Sequence, residues 1–294
     1  MIGQKGWRAS FWFLAPVLLL LALFALYPTI HMIYTSFTDL HLTRPHEQRF
    51  NFGRNYINLL HDGRFWLAVV RTLLFIAIAV PLSIVVGFLI AYLFNTLTWG
   101  RRVCRIIFLA PMVTAPSIAG LVFKFIFNYD FGMINQILVE VGLPRIDFLG
   151  SPTNAFLSVI IVDLWQWTPF ATLVLLAGLE SLPHEHFEAA LIDGASTIQV
   201  LWHITLPMMK KYIFITTIFR FIQCIRIYDI IKLMTDGGPG TATELLNVYI
   251  TKVGFSWFDL GYASALTFVA LNLGAFLAML LIRRTQTFTG GEGI

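Results

Sequence analysis

Six apolar runs of about 20 residues or more dominate the chain and leave it few folds to choose from. They cover residues 11–34, 67–94, 103–127, 156–179, 212–231 and 262–282. Twenty helical residues rise about 30 Å, the thickness of a bilayer's hydrocarbon core. Because these runs are continuously apolar rather than alternating, they predict helices, not barrel strands. Composition agrees. Of 294 residues, 57% are hydrophobic and 12% charged, against roughly 50% and 25% in a soluble domain. The expected fold is all-α and polytopic, a single transmembrane domain over residues 1–294, with Gly- and Pro-rich connections and no soluble domain.

The first run follows Lys5 and Arg8 and has the look of a secretory signal. It is longer than a signal core of about 7–15 residues and has no small-x-small cleavage site after it, so a retained spanning helix is expected. Basic residues near helix ends set orientation. Lys5, Arg8, Arg101, Arg102, Arg105, Lys210, Lys211, Arg283 and Arg284 fall on one side if both termini are cytoplasmic. The opposite side is less clean, since the first loop carries Arg44, Arg49, Arg54 and Arg64, partly balanced by Asp39, Glu47 and Asp62. Lys and Arg, 20 in all, do not cluster into the basic face that nucleic acid requires. Cys104 and Cys224 are far apart in sequence, at or within apolar runs, which argues against a disulfide or a metal site.

Between the fourth and fifth runs lies a polar island, "EAALIDGASTIQVLWHITLP", residues 188–207. Ser181 and Pro183 can start a short helix, and Asp193 with Gly194 can end it, because glycine accepts the left-handed conformation that closes many helices. Thr197 or Ser196 can cap a second helix, and Pro207 marks the start of the next span. Phe187, Ala190 and Leu191 recur at i, i+3, i+4 and form an apolar stripe opposite Glu185, Glu188 and Asp193. A stripe facing water needs a cover, either a partner or the lipid surface. The acidic opposite face disfavours lipid.

The spacing Glu188-Ala189-Ala190, three residues, Gly194, nine residues, then Ile204-x-Leu206-Pro207 resembles the EAA signature of permease subunits in binding-protein-dependent ABC importers. Residues 110–135, 164–196 and 228–266 are similar to the carbohydrate-uptake branch of that family, whose members carry oligosaccharides, monosaccharides, polyols or glycerol phosphates. Two departures stand out: the first external loop is too short for the extra periplasmic domain of some maltose-type members, and Lys232 and Asp236 replace a common aromatic and glycine. The resemblance implies a type I importer permease fold, six helices with both termini inside, in a bacterial cytoplasmic (inner) membrane. It implies a second permease subunit, two nucleotide-binding ATPase subunits and a periplasmic or lipid-anchored solute-binding protein as partners. ATP and Mg would be bound by the ATPases, with no cofactor in this chain. Residues 183–206 would be the cytoplasmic coupling segment docking on an ATPase. There Gly194 offers a corner without a side chain, or acts as a plain helix cap, and Glu188 offers a carboxylate to a basic or amide partner.

No G-x-x-x-x-G-K-[ST], H-E-x-x-H, C-x-x-C or G-x-S-x-G occurs, so neither nucleotide phosphates nor a recognisable catalytic centre are expected in the chain. His184, His186 and His203 sit in the polar loop rather than on one face, which favours solvation over a metal. Ionisable groups inside spans are costly and mark interior or hydrated positions. Asp163 in the fourth run and Arg220 in the fifth are the clearest. Thr216, Arg220 and Gln223 recur at i, i+4, i+7, with Arg226 at the outer flank and Lys232 beyond it on the same helix. Trp167 shares a face with Asp163, and Gln166 lies beside them. Aromatic platforms with amide and charged groups suit a sugar, whereas an Asp163–Arg220 ion pair would serve structure alone. The reading is a permease translocating a sugar or sugar-like solute, an anionic derivative included. A membrane enzyme acting on lipid-linked sugars and a secondary transporter are the alternatives. The former needs an interfacial catalytic group, and the latter needs inverted repeats with broken helices.

Overall fold

A computed structural model describes residues 14–97 and 100–288. Lys5, Arg8 and Phe11, where the first helix was expected to begin, lie outside the described residues. The helices in chain order are α1 (Leu14–Ser36), α2 (Arg54–Leu60), α3 (Gly63–Thr96), α4 (Arg101–Val113), α5 (Pro116–Ile126) and α6 (Met133–Glu140). They continue with α7 (Pro152–Glu180), α8 (His184–Ile192), α9 (Thr197–Val200), α10 (Lys210–Ile225), α11 (Asp229–Met234), α12 (Leu246–Thr251) and α13 (Leu260–Phe288). Among the described residues, β pairing is confined to two isolated bridges, Thr38 with Phe50 and His41 with Asp259. The class is all-α, as expected.

Among the described residues, four helices are long and apolar enough to span a membrane, α1, α3, α7 and α13, and the α4–α5 pair is a fifth candidate. Two expected spans are corrected. The run 103–127 is not one helix: α4 and α5 meet at a 94° bend. The cause is Pro116, which disfavours helical backbone in the residue before it, and Thr114 and Ala115 are both extended. The run 212–231 divides into α10, of 16 residues, and the separate α11, so Lys232 is not on the same helix as Arg220. Here the chain breaks without a proline. The Ile225 carbonyl, released by the break, accepts a hydrogen bond from Asn247 Nδ2 at 2.9 Å, a partner more than twenty residues away.

The chain divides into two compact units, one comprising residues up to Gly63 with Ile250–Leu273, the other Arg64–Tyr249 with residues from Gly274 onward. In the first, Asn55 Nδ2 donates to the carbonyls of Ser36 (2.9 Å) and Thr38 (3.0 Å), tying α2 to the end of α1. The second holds two apolar cores. One gathers Phe75, Ala79 and Val80 of α3, Val159 and Val162 of α7, and Phe221 of α10 together with residues of α11. The other gathers Phe88, Ala91 and Phe94 of α3, Leu175, Leu176 and Leu179 of α7, and Met209. Between them, Ser83, Asp163 and Arg220 form a polar layer on the same three helices. Asp163 is eleven residues into α7, about 16 Å along a helix of 29 residues, near the middle of a bilayer-spanning length. Close packing positions α11: a Cβ on Gly120 of α5 would stand 2.8 Å from the Ile230 carbonyl oxygen, so only glycine lets the two backbones approach.

Candidate solute pocket and coupling segment

Two regions collect the candidate residues. The first is the polar layer. Arg220 has no exposed surface, and a guanidinium at that depth needs acceptors for its donors. Each of its nitrogens has one. Nη2 donates to Asp163 Oδ2, Nε to Ser83 Oγ at 2.9 Å, and Nη1 to Gln223 Oε1 at 3.1 Å. Ser83 passes its own proton to the Ala79 carbonyl at 2.6 Å. Thr216 is buried one turn before Arg220, its hydroxyl donating to the Tyr212 carbonyl at 2.8 Å. Gln166, also buried, donates through Nε2 to the Thr114 carbonyl at 2.7 Å, meeting an acceptor freed by the α4–α5 bend.

Next to this layer lies a pocket of about 310 Å³, bounded by the bend before α5 and by the break between α10 and α11. Trp167, Gln223, Arg226, Tyr228 and Asp229 line it, with Pro116 closing one side. The seven predicted pathway residues therefore sort into two sets. Trp167, Gln223 and Arg226 face the pocket, whereas Asp163, Gln166, Thr216 and Arg220 form the buried support. Tyr228 and Asp229 were missed because the sequence placed them inside a continuous helix; an acid in an apolar run was the available signal. Lys232 is not among the residues that line the pocket. Its ammonium bonds Asp236 at 2.7 Å, and that hydrogen bond and charge hold it above its ordinary pKa.

The second region is residues 183–206. Pro183 is extended, and α8 begins after it. Gly194 closes α8 at φ +72°, where the N–H of Ala195 bonds the Ala190 carbonyl (2.9 Å) and that of Gly194 bonds the Leu191 carbonyl (3.1 Å). This pair of bonds is a Schellman motif, and its left-handed position accounts for the glycine. Of the two predicted caps it is Ser196 that serves. Its hydroxyl accepts from Gln199 N, while Gln199 Oε1 accepts from Ser196 N at 2.8 Å. Pro207 does not open the next span as expected. Helical backbone runs through it as far as Met208, and α10 starts at Lys210 after Met209.

The predicted stripe divides. Phe187 packs against the core of Phe88, Leu175 and Met209 and Ala190 is buried, but Leu191 is 72% exposed. The outward apolar set is Leu191, Ile192, Ile198 and Trp202, with Ile192 at 87%. The last three were missed because apolar residues draw no notice in so apolar a chain. Glu188, Ala189, Asp193 and Pro207 are exposed, whereas Ile204 and Leu206 are half-buried. A Cβ on Gly194 would meet nothing within 4 Å, so the corner stands open. Among the described residues, no group of three His, Cys, Asp or Glu side chains is placed to hold a metal.

Residues 60–287 match the family described as binding-protein-dependent transport system inner membrane component. The chain is 36% identical over 277 residues to the sulfoquinovosyl glycerol transport system permease protein of Agrobacterium fabrum, covering 93% of this chain and 89% of that one. It is 34% identical to the trehalose/maltose transport system permease protein of Thermococcus litoralis, covering 86% and 84%. Its fold matches a chain of a bacterial alginate ABC transporter crystallised with a periplasmic protein carrying alginate pentasaccharide, with TM-score 0.84, 20% identity and coverage of 97% and 96%. The spans, the polar corner and these matches lead to one conclusion: the chain belongs to the inner membrane component family of binding-protein-dependent ABC transporters, as a multi-pass permease subunit that leaves ATP hydrolysis to a separate ATPase.

Proposed function

We propose that this permease moves a sugar through the pocket beside the polar layer, receiving it from an external solute-binding protein. The observation that carries this reading is the lining itself: two aromatic rings, Trp167 and Tyr228, with an amide, a guanidinium and a carboxylate around about 310 Å³. Rings stack on the apolar faces of a sugar while polar groups meet its hydroxyls. The names of two curated relatives, which record a sulfoquinovosyl glycerol and a trehalose or maltose, support the same class.

In this reading the chain pairs with a second permease subunit, and two ATPase subunits bind ATP and Mg on the cytoplasmic side. The corner from Phe187 to Pro207, including Glu188, Ala189, Ala190, Leu191, Asp193, Gly194, Ile204 and Leu206, is the ATPase dock. The apolar set around Ile192 supports it, because it lies outside the spans and needs a cover. Both termini are cytoplasmic. The bent α4–α5 pair counts as one span, and α10, about 24 Å long, completes six with Lys210 and Lys211 reaching to the interface. Charge pairing eases the unfavourable first-loop arginines, since Arg64 forms a two-pronged bridge to the buried Glu244 at 2.6 and 2.7 Å. Labelling of Gln199→Cys from the outer face of intact cells would overturn this orientation.

The test of the function is uptake by the assembled transporter carrying Trp167→Ala. Loss of the ring should cut sugar uptake up to about tenfold while the chain still inserts, since an aromatic contact is worth on the order of 0.5–1.5 kcal/mol beyond the area it buries. Uptake unchanged at equal expression would remove the pocket from the pathway.

A further inference from the structure

The buried ion pair does more than hold helices together: it fixes which end of an amide faces the pocket. Gln223 touches both places, bonding Arg220 and lining the pocket. A guanidinium carries only donors, so the Gln223 atom it meets is the amide oxygen. Arg220 cannot turn away to release it, because Asp163 occupies Nη2 and Ser83 occupies Nε in a fully buried setting. With its oxygen turned to Arg220, Gln223 has the two N–H donors of its amide to offer the pocket. The exposed guanidinium of Arg226, three residues on, lines the same pocket and adds donors and a positive charge. Asp229 and Tyr228, across the helix break, supply a carboxylate acceptor and a phenol.

Donors beside a cation suit an oxyanion, and an acceptor in the same pocket suits hydroxyls. We propose that the solute is an acidic sugar, one bearing a carboxylate, sulfonate or phosphate. Its acid group is received by Gln223 and Arg226, its hydroxyls by Asp229 and Tyr228, and Arg220 is the positioning residue that sets the polarity of Gln223. This inference rests on the pocket being the solute site.

The test compares two probes that differ only at C6, methyl β-D-glucuronide and methyl β-D-glucoside, titrated by calorimetry against the full chain in lipid nanodiscs. The wild type should bind the glucuronide about tenfold more tightly. Gln223→Glu keeps an oxygen for Arg220 but removes the donors, so it should erase that preference and leave thermal unfolding unchanged. Arg226→Gln should reduce the preference as well. Arg220→Lys keeps a charge for Asp163 yet loses the fork, and it should narrow the ratio without weakening the glucoside. If Arg220→Lys fails to insert, the Gln223 and Arg226 variants still decide. Equal binding of both probes, unmoved by Gln223→Glu, would overturn the acidic class while leaving a sugar pocket in place. Binding of neither probe would overturn the pocket reading and this inference together.

Discussion

The polar layer and the corner at Gly194 invert the usual distribution of side chains. Arg220, at mid-membrane depth, has no exposed surface, whereas Ile192, in the polar connection, is 87% exposed. In water-soluble proteins the two would change places. The difference shows that partners, not polarity, decide burial in this chain. In the layer each guanidinium nitrogen of Arg220 has an acceptor from α3, α7 or α10. The corner is complete only in its backbone, through the Schellman bonds and the Ser196 capping box, and it leaves four large apolar side chains uncovered. Arg220 is met within its own chain, whereas the corner leaves apolar surface open.

The sharpest way to break this comparison is to open the closed region. Asp163→Ala leaves Arg220 buried with a positive charge and no counter-ion, and stranding one partner of a buried pair costs about 3–5 kcal/mol. Folded yield in membranes should fall severely, as should the detergent melting temperature. Exchanging the charges, Asp163→Arg with Arg220→Asp, should recover part of the loss, because the two sites are directly coupled. Near-normal yield for the single variant would mean that the layer is hydrated in the native protein and not self-contained.

A smaller effect is expected where the corner's backbone is altered. Gly194 sits at φ +72°, a conformation that costs an L-residue roughly 1–2 kcal/mol and a β-branched one more. Gly194→Val should lower yield only slightly but should displace α9 relative to α8, so that solute-stimulated ATP hydrolysis falls several-fold. Full stimulation at normal expression would show that the turn does not set the dock.

How much of this was legible in the sequence follows the same division. The corner was readable because its signals are local: glycine at the left-handed position, serine before a Gln three residues on, and proline ahead of α8 all act within one turn. The spans were readable from apolar length. The two breaks in spans were not, for different reasons. Pro116 is a local signal, but it lies inside a continuously apolar run that reads as one span. At the α10–α11 break the freed Ile225 carbonyl is met by Asn247, a pairing too distant in sequence for a local pattern to show, and Asp229 was the one local signal. For the pocket, spacing brought Thr216, Arg220 and Gln223 together on one face, but it could not separate Arg220 as support from Gln223 as lining. That distinction depends on Ser83, contributed by a helix more than a hundred residues earlier. Ile192, Ile198 and Trp202 escaped notice because an apolar residue in this chain is ordinarily in lipid or core.

The gentlest change sharpens the comparison most, because it separates folding from docking. Ile192 is nearly free of contact with its own chain, so Ile192→Asp removes little that holds the fold, and yield and melting temperature should stay within experimental error of the wild type. If the exposed set is a dock, a carboxylate at its centre is desolvated against an apolar groove without a partner, a cost of a few kcal/mol that weakens ATPase association about tenfold or more. The measurement is co-purification of the ATPase with the permease, together with solute-stimulated hydrolysis. Both should fall for Ile192→Asp and remain normal for Ile192→Leu. A variant that keeps its ATPase yet loses membrane insertion would assign the face to lipid instead. The corner would then be incomplete only for want of a bilayer, and its contrast with the polar layer would be one of depth rather than of partners.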